Sequence, residues 1–156
     1  MLLLRVPMSE IIHNQLFLGN VLNVNRLQWL NQKNIQTIVC VASKEDVVIQ
    51  EHIRSCKTVH QWELFDHETQ QLDFETVVVL IENALKQGAV LVNCAVGMSH
   101  SPSFVMAYLM KTKKISLQEA YRTVKQARPK ITPNPSFMRQ LQEYEAYLER
   151  GHPKLD

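Results

Sequence analysis

Residues Ala89 to Ser103 read AVLVNCAVGMSHSPS. The four apolar residues Ala89 to Val92 predict a buried strand. They run into Asn93 and Cys94, then a turn centred on Gly97, then His100-Ser101-Pro102, which opens an apolar helical pattern from Phe104 to Met110. A strand that ends in a turn feeding a helix N-terminus gathers backbone N–H groups at one point, and the helix dipole adds positive potential there. A thiol placed at that point ionises more easily, and an oxyanion is held more easily beside it. Cys94 reads as a nucleophile toward phosphate or as the remnant of one.

The flanking segments place this stretch in an α/β sheet. Thr58 to Leu64 predicts a strand, followed by the polar loop Phe65-Asp66-His67-Glu68 that reaches to Asp73. Asp73 can cap a helix whose Phe74, Val77, Val78, Ile81 and Leu85 recur at helical spacing until Gly88 stops it. Strand, helix, strand is a crossover unit, so the strands ending at Leu64 and Asn93 are expected to be parallel, which brings Asp66 beside Cys94. Ligands of open α/β sheets gather at that edge.

Upstream, Thr37 to Val41 is a β-branched run that predicts a buried strand with Cys40 in the core. Ser43 can cap a helix running to about Arg54, with Val47, Val48 and Ile53 turned inward. Ile11 to Asn20 predicts one short strand closing on Gly19-Asn20, and then a helix with Leu27 and Leu30 inside and Asn34 near its end. Downstream, the capping box Ser116-Leu117-Gln118-Glu119 opens a helix that buries Leu117, Ala120, Tyr121 and Val124 and ends at Pro129. Asn134-Pro135 opens the last helix, with Phe137, Leu141, Tyr144 and Leu148 on one face and a stop near Gly151. The 156 residues contain no linker or repeat, so one α/β domain is expected over 1–156, with its core at about 11–149.

Composition narrows the function classes. The chain is 46% apolar and 21% charged, which is ordinary for a globular protein, and no apolar run reaches the length of a membrane span. Met1-Leu2-Leu3-Leu4-Arg5 is too short for a signal peptide, and Leu2 excludes myristoylation. Cys40, Cys56 and Cys94 are odd in number and lack metal-ligand spacing. Free thiols in a cytoplasmic or nuclear compartment are therefore expected, with neither metal nor cofactor. A net charge of +2 is too small to imply nucleic acid.

At Cys94, Gly97 and Ser101 the chain resembles the cysteine-dependent protein phosphatases, and among them the dual-specificity group, whose signature is His-Cys-x-x-x-x-x-Arg-Ser/Thr. The resemblance extends to Leu16-Phe17-Leu18-Gly19, to Asp66 followed by Phe74, to Ser101-Pro102 followed by Ala107-Tyr108-Leu109-Met110, and to Pro133-Asn134 followed by Phe137, Gln140-Leu141 and Tyr144-Glu145. It implies the phosphatase fold, a central mixed, mostly parallel sheet of about five strands flanked by helices. Two positions depart from the signature: Asn93 stands at the His and His100 at the Arg.

What the resemblance implies for chemistry follows residue by residue. Cys94 matches the nucleophile, Asp66 the general acid and Ser101 the hydroxyl that stabilises the thiolate. Ala95, Val96, Gly97, Met98, Ser99, His100 and Ser101 would form the phosphate-binding loop, with Gly97 at positive φ. Arg128 and Asn134 stand where a second phosphate contact is often placed. The absent arginine matters because a planar guanidinium grips two phosphate oxygens at once and an imidazole does not. His100 either enters the cradle as a protonated single-point cation or turns outward and leaves the cradle to the backbone.

The turn from Ala95 to Ser99 carries no Lys or Arg, which favours a phosphorylated protein, peptide or aryl phosphate over a phosphoinositide. Between Lys111 and Lys130 seven Lys and Arg face one acid, Glu119, which is either a solvated face or a dock for an acidic or doubly phosphorylated peptide. Two functions stay open: a slow dual-specificity phosphatase using Cys94, Asp66 and Ser101, and a pseudophosphatase that captures phosphorylated partners as a binding or scaffold module. A thiol redox enzyme is disfavoured, since no Cys-x-x-Cys pair exists.

Overall fold

The computed structural model describes residues 6–65 and 67–151. The opening Met1 to Arg5 segment and the proposed acid Asp66 lie outside the described residues. Five strands form one sheet in the order β1-β2-β5-β3-β4. They are β1 (Ser9–Ile12), β2 (Leu16–Gly19), β3 (Ile35–Val41), β4 (Thr58–Trp62) and β5 (Ala89–Asn93). β1 pairs antiparallel with β2, and every other pairing is parallel. The expected mixed, mostly parallel sheet is therefore present.

Seven helices flank it: α1 (Val21–Val24), α2 (Leu27–Gln32), α3 (Glu51–Arg54), α4 (Phe74–Leu85), α5 (His100–Lys113), α6 (Leu117–Ala127) and α7 (Pro135–Glu149). Three caps act as read from sequence. Asp73 accepts from Thr76 N, Ser116 from Glu119 N and Asn134 from Phe137 N, each satisfying an otherwise orphaned first-turn donor. α5 is buried on every side from His100 to Met110, because it packs on β2, β3 and β5 and also against α4, α6 and α7.

Three expectations need correction. Ile11 to Asn20 is a hairpin rather than one strand. Asn14 takes φ 58° at the turn, Glu10 Oε2 accepts from its N–H at 3.1 Å, and asparagine tolerates this left-handed backbone better than most residues. The helix expected from Ser43 to Arg54 shrinks to α3. Ser43 Oγ accepts from Asp46 N at 3.1 Å but closes only a turn. Beyond it the backbone is claimed from outside: Asn25 donates to Val48 O at 2.8 Å and accepts from Gln50 N at 2.9 Å, while Gln61 donates to Val47 O at 3.0 Å. Val47 and Ile53 are buried as expected, but Val48 is 66% exposed. Finally, β4 stops at Trp62 and is parallel to β5 without touching it, since β3 lies between them.

The parallel strands deliver their C-terminal ends to one edge. Gly19 of β2 and Cys40 of β3 are both in register with Asn93 of β5. Cys94 is the next residue, so it leaves the sheet at its centre.

Candidate active site

Cys94 is 3% exposed, and its sulfur meets two polar groups. Gly97 N–H donates to Sγ at 3.1 Å, and Ser101 Oγ lies 3.1 Å away, a bond that either group can donate. Ser101 is fully buried in the first turn of α5. Hydrogen bonds directed at a sulfur favour its charged form. Gly97 has φ +82°, and a Cβ there would stand 2.8 Å from Gly19 O and 2.8 Å from Arg128 Nη2. The turn therefore requires glycine for its backbone and for the lack of space around it.

The outside of the turn is tied to four different segments. Val21 N donates to Ala95 O at 3.0 Å, Arg128 Nε to Gly97 O at 3.0 Å and Thr132 N to Met98 O at 2.7 Å. Asn134 N donates to Ser99 Oγ at 3.1 Å. Three carbonyl oxygens that would repel an oxyanion are thus engaged by donors behind the loop. Ser99, the N-cap of α5, makes no side-chain cap bond to that helix, so its first-turn N–H groups are not taken by their own cap. An anion favours that position for both hydrogen bonding and dipole reasons.

The two positions that depart from the signature are both interior. Asn93 is fully buried; its Nδ2 donates to Cys40 Sγ at 3.7 Å, and its Oδ1 has no hydrogen-bond partner among the described residues. Burial, and secondarily the nearby Cys94, push the Cys40 thiol up to about 12, so it stays protonated as a core residue. His100 is 6% exposed, with its ring centroid 5.0 Å from that of Phe137. It therefore does not turn outward to solvent, and its buried Nε2 has no hydrogen-bond partner among the described residues.

Arg128 and Asn134, expected as a second phosphate contact, both bond to the turn from outside. Arg128 is 4% exposed, and its fork donates to Gly97 O, to Pro7 O at 3.1 Å and to Ser9 Oγ at 3.1 Å. Asn134 uses its side-chain oxygen to cap α7, accepting from Phe137 N at 2.9 Å. Both hold the loop from outside. The cationic run is also partly consumed. Lys111 pairs with Glu75 at 3.2 Å and Glu82 at 3.6 Å, and Lys125 donates to Ile131 O at 3.0 Å.

Sequence reasoning missed Gln140 as a clamp. Its Oε1 accepts from Leu72 N at 2.8 Å and its Nε2 donates to Gln70 O at 2.8 Å. Gln70 Oε1 in turn accepts from Phe65 N at 3.1 Å, so the loop on both sides of position 66 is tied to α7. The available signal was Gln140 in the Phe137 to Glu145 pattern, but its partners lie 68 and 70 positions away.

Comparison with known proteins agrees with this geometry. The family described as "Dual specificity phosphatase, catalytic domain" matches residues 16–147. Human protein phosphatase Slingshot homolog 3 is 37% identical over 140 residues, covering 88% of this chain and 21% of that protein. Human dual specificity protein phosphatase 5 is 33% identical over 142 residues, covering 88% of this chain and 36% of that protein. The chain thus spans only about a fifth to a third of the length of these curated relatives. Among solved structures, a human tyrosine phosphatase-like serine/threonine/tyrosine-interacting protein superposes with TM-score 0.86 at 30% identity, covering 93% of this chain and 99% of that one. Parallel sheet, central cysteine, glycine turn and helix N-terminus accordingly have one common explanation: the chain belongs to the dual-specificity phosphatase family.

Proposed function

We propose that the Cys94–Ser101 loop binds the phosphate of a phosphorylated protein or peptide, and that phosphocysteine chemistry there is slow. The observation that carries this reading is the Cys94 sulfur, which faces the Gly97 N–H and the Ser101 hydroxyl at 3.1 Å each beside an uncapped helix N-terminus. In the chemical step the thiolate attacks phosphorus and the bond to the leaving oxygen breaks, with Asp66 giving that oxygen its proton. Water then hydrolyses the phosphocysteine, Asp66 accepts the water's proton, and Ser101 stabilises the departing thiolate. A cationic clamp on a transferring phosphoryl group is worth roughly 10³ to 10⁵ in rate, and His100 replaces it with a ring packed on Phe137.

A second reading, a pseudophosphatase that holds phosphorylated partners without turning them over, is favoured by the two substitutions, since neither Asn93 nor His100 carries a permanent charge. The human structural relative is itself described as phosphatase-like and interacting. Among the described residues no helix is long and apolar enough to cross a membrane. A cytoplasmic or nuclear setting is part of the proposal.

Hydrolysis of an aryl phosphate from pH 5 to 8, run beside Cys94→Ser and His100→Arg, tests both readings. Turnover that needs Cys94 and rises by about 10³ or more in His100→Arg is the expected result. A rate equal to that of Cys94→Ser at every pH, with inorganic tungstate still bound, leaves the binding module. Failure to bind tungstate at all overturns the phosphate site.

A further inference from the structure

We propose that Arg128, acting from behind the loop, supplies the fixed positive charge on Cys94 that the missing loop arginine would otherwise provide. It does so without touching phosphate and is a positioning residue. The inference rests on reading Cys94 as the loop thiolate, but not on turnover.

Charge accounting leads to this assignment. The Arg128 guanidinium is buried at the end of α6, and its three acceptors, Gly97 O, Pro7 O and Ser9 Oγ, are all neutral. Among the described residues no carboxylate stands within ion-pair distance of it. A buried cation without an anion is costly, so either the group is relieved by a negative charge nearby or its position is a burden to the fold. The nearest candidate is the Cys94 sulfur. Gly97 alone separates the two groups: its carbonyl accepts from Arg128 Nε at 3.0 Å, and its N–H donates to Cys94 Sγ at 3.1 Å. Attraction between charges through protein is screened less than in bulk water.

The electrostatics agree with the geometry. Burial lowers the Arg128 guanidinium, and Cys94 opposes that lowering. Attraction between two charges acts on both partners, so the proposal requires Arg128 to act on the charge of Cys94 as Cys94 acts on that of Arg128. Among the described residues, the other titratable groups beside the sulfur do not carry a standing charge. Cys40 on β3 is held neutral by burial, and His100 on α5 is cationic only when protonated. Arg128 is the permanently charged member of this set.

The test follows alkylation of Cys94 by iodoacetamide from pH 5 to 9, read at the peptide level by mass spectrometry so that Cys40 and Cys56 are counted separately. Only the thiolate reacts, so the pH dependence reports the charge around the sulfur. Arg128→Gln removes the charge, and Arg128→Lys keeps it with fewer donors. Ser9→Asp keeps Arg128 and gives the guanidinium a carboxylate partner; a cavity of about 60 Å³ lined by Ser9, Val96, Met98 and Arg128 has room for it.

Arg128→Gln and Ser9→Asp are both expected to slow Cys94 alkylation about tenfold at pH 6.5 while leaving the plateau at high pH unchanged, as a midpoint raised by about one unit requires. Arg128→Lys is expected to stay within about twofold of the parent chain. Equal slowing by Lys and Gln would overturn the charge role and leave a brace. Should Arg128→Gln not fold, Ser9→Asp decides alone: alkylation identical to the parent chain refutes the proposal. Tungstate binding to the unaltered chain is measured separately, so failure of the phosphate reading is distinguishable from failure of this one.

Discussion

Replacing Gly97 with alanine tests whether the loop is held as tightly as its contacts imply. Three contributions add up. A side chain at φ +82° costs about 1 kcal/mol in backbone conformation. The new Cβ would meet Gly19 O at 2.8 Å, a backbone atom fixed by the pairing of Gly19 with Asn93 in the β2–β5 ladder, and Arg128 Nη2 at 2.8 Å. Neither can yield cheaply, and overpacking of this kind costs about 1–3 kcal/mol. Shifting the turn would also weaken the Gly97 N–H bond to Cys94 and the Arg128 bond to Gly97 O, at about 1 kcal/mol between them. The expected loss is about 3–5 kcal/mol, a large share of the stability of a domain. Urea unfolding at pH 7 measures it as a fall in midpoint at unchanged slope. Gly151→Ala is the internal control. Gly151 also has positive φ, +56°, but among the described residues nothing lies within 4 Å of its Cβ position, so the backbone cost of about 1 kcal/mol is what remains. If the two alanine variants lose the same stability, the packing reasoning is refuted.

Two further outcomes are expected. Because burial pushes the Cys40 thiol up to about 12, an unfolded chain releases its proton above about pH 8.5 while the folded chain keeps it. The stability tied to Cys40 is therefore intact below about pH 8.5 and is lost as pH rises toward 12, by up to about 1.4 kcal/mol per unit. The urea midpoint between pH 9 and 11 should fall less steeply in Cys40→Ala, and parallel slopes would contradict this. Gln140→Leu removes the bonds to Leu72 N and Gln70 O. Amide exchange at Leu72 should accelerate at least about tenfold, with a stability loss of about 1–3 kcal/mol; unchanged exchange would show that the clamp does not restrain the loop.

The parts of the fold legible in the sequence are those governed by neighbours along the chain. Asp73, Ser116 and Asn134 cap helices because a short side-chain acceptor needs only the next turn to find its donor. Cys94, Gly97 and Ser101 could be read because a strand–turn–helix brings residues three and seven apart onto one sulfur. Local signals failed where distant groups compete for the backbone. Val47 to Gln50 follows a good cap yet is not helical, because Asn25 and Gln61 reach across and take its hydrogen bonds. Arg128 could be noticed as one cation in a run, but its partner Ser9 is 119 positions away and nothing local announces the pairing. The hairpin at Asn14 escaped notice because its turn carries neither glycine nor proline.

The two altered positions explain why the architecture tolerates a changed signature. The turn is held by backbone carbonyls of Ala95, Gly97 and Met98 and by Arg128, and none of these bonds depends on the side chains at positions 93 and 100. Asn93 and His100 could therefore change while the sulfur kept both of its polar neighbours. Each change nevertheless leaves a mark. Among the described residues Asn93 Oδ1 and His100 Nε2 have no hydrogen-bond partner, and an unmet polar atom costs about 1–3 kcal/mol. Two such atoms around a single turn are poor economy for a purely structural module and are common where a site stores unmet bonding capacity. Arg128, which has no carboxylate within ion-pair distance among the described residues, adds positive charge behind the same turn. The loop thus combines a backbone whose bonds do not depend on the side chains at positions 93 and 100 with first-turn N–H groups of α5 that, in the proposed function, an incoming oxyanion would meet. On these terms the proposed phosphate binding draws on the backbone of the loop, whereas the proposed rate draws on position 100, where His100 stands at the signature arginine.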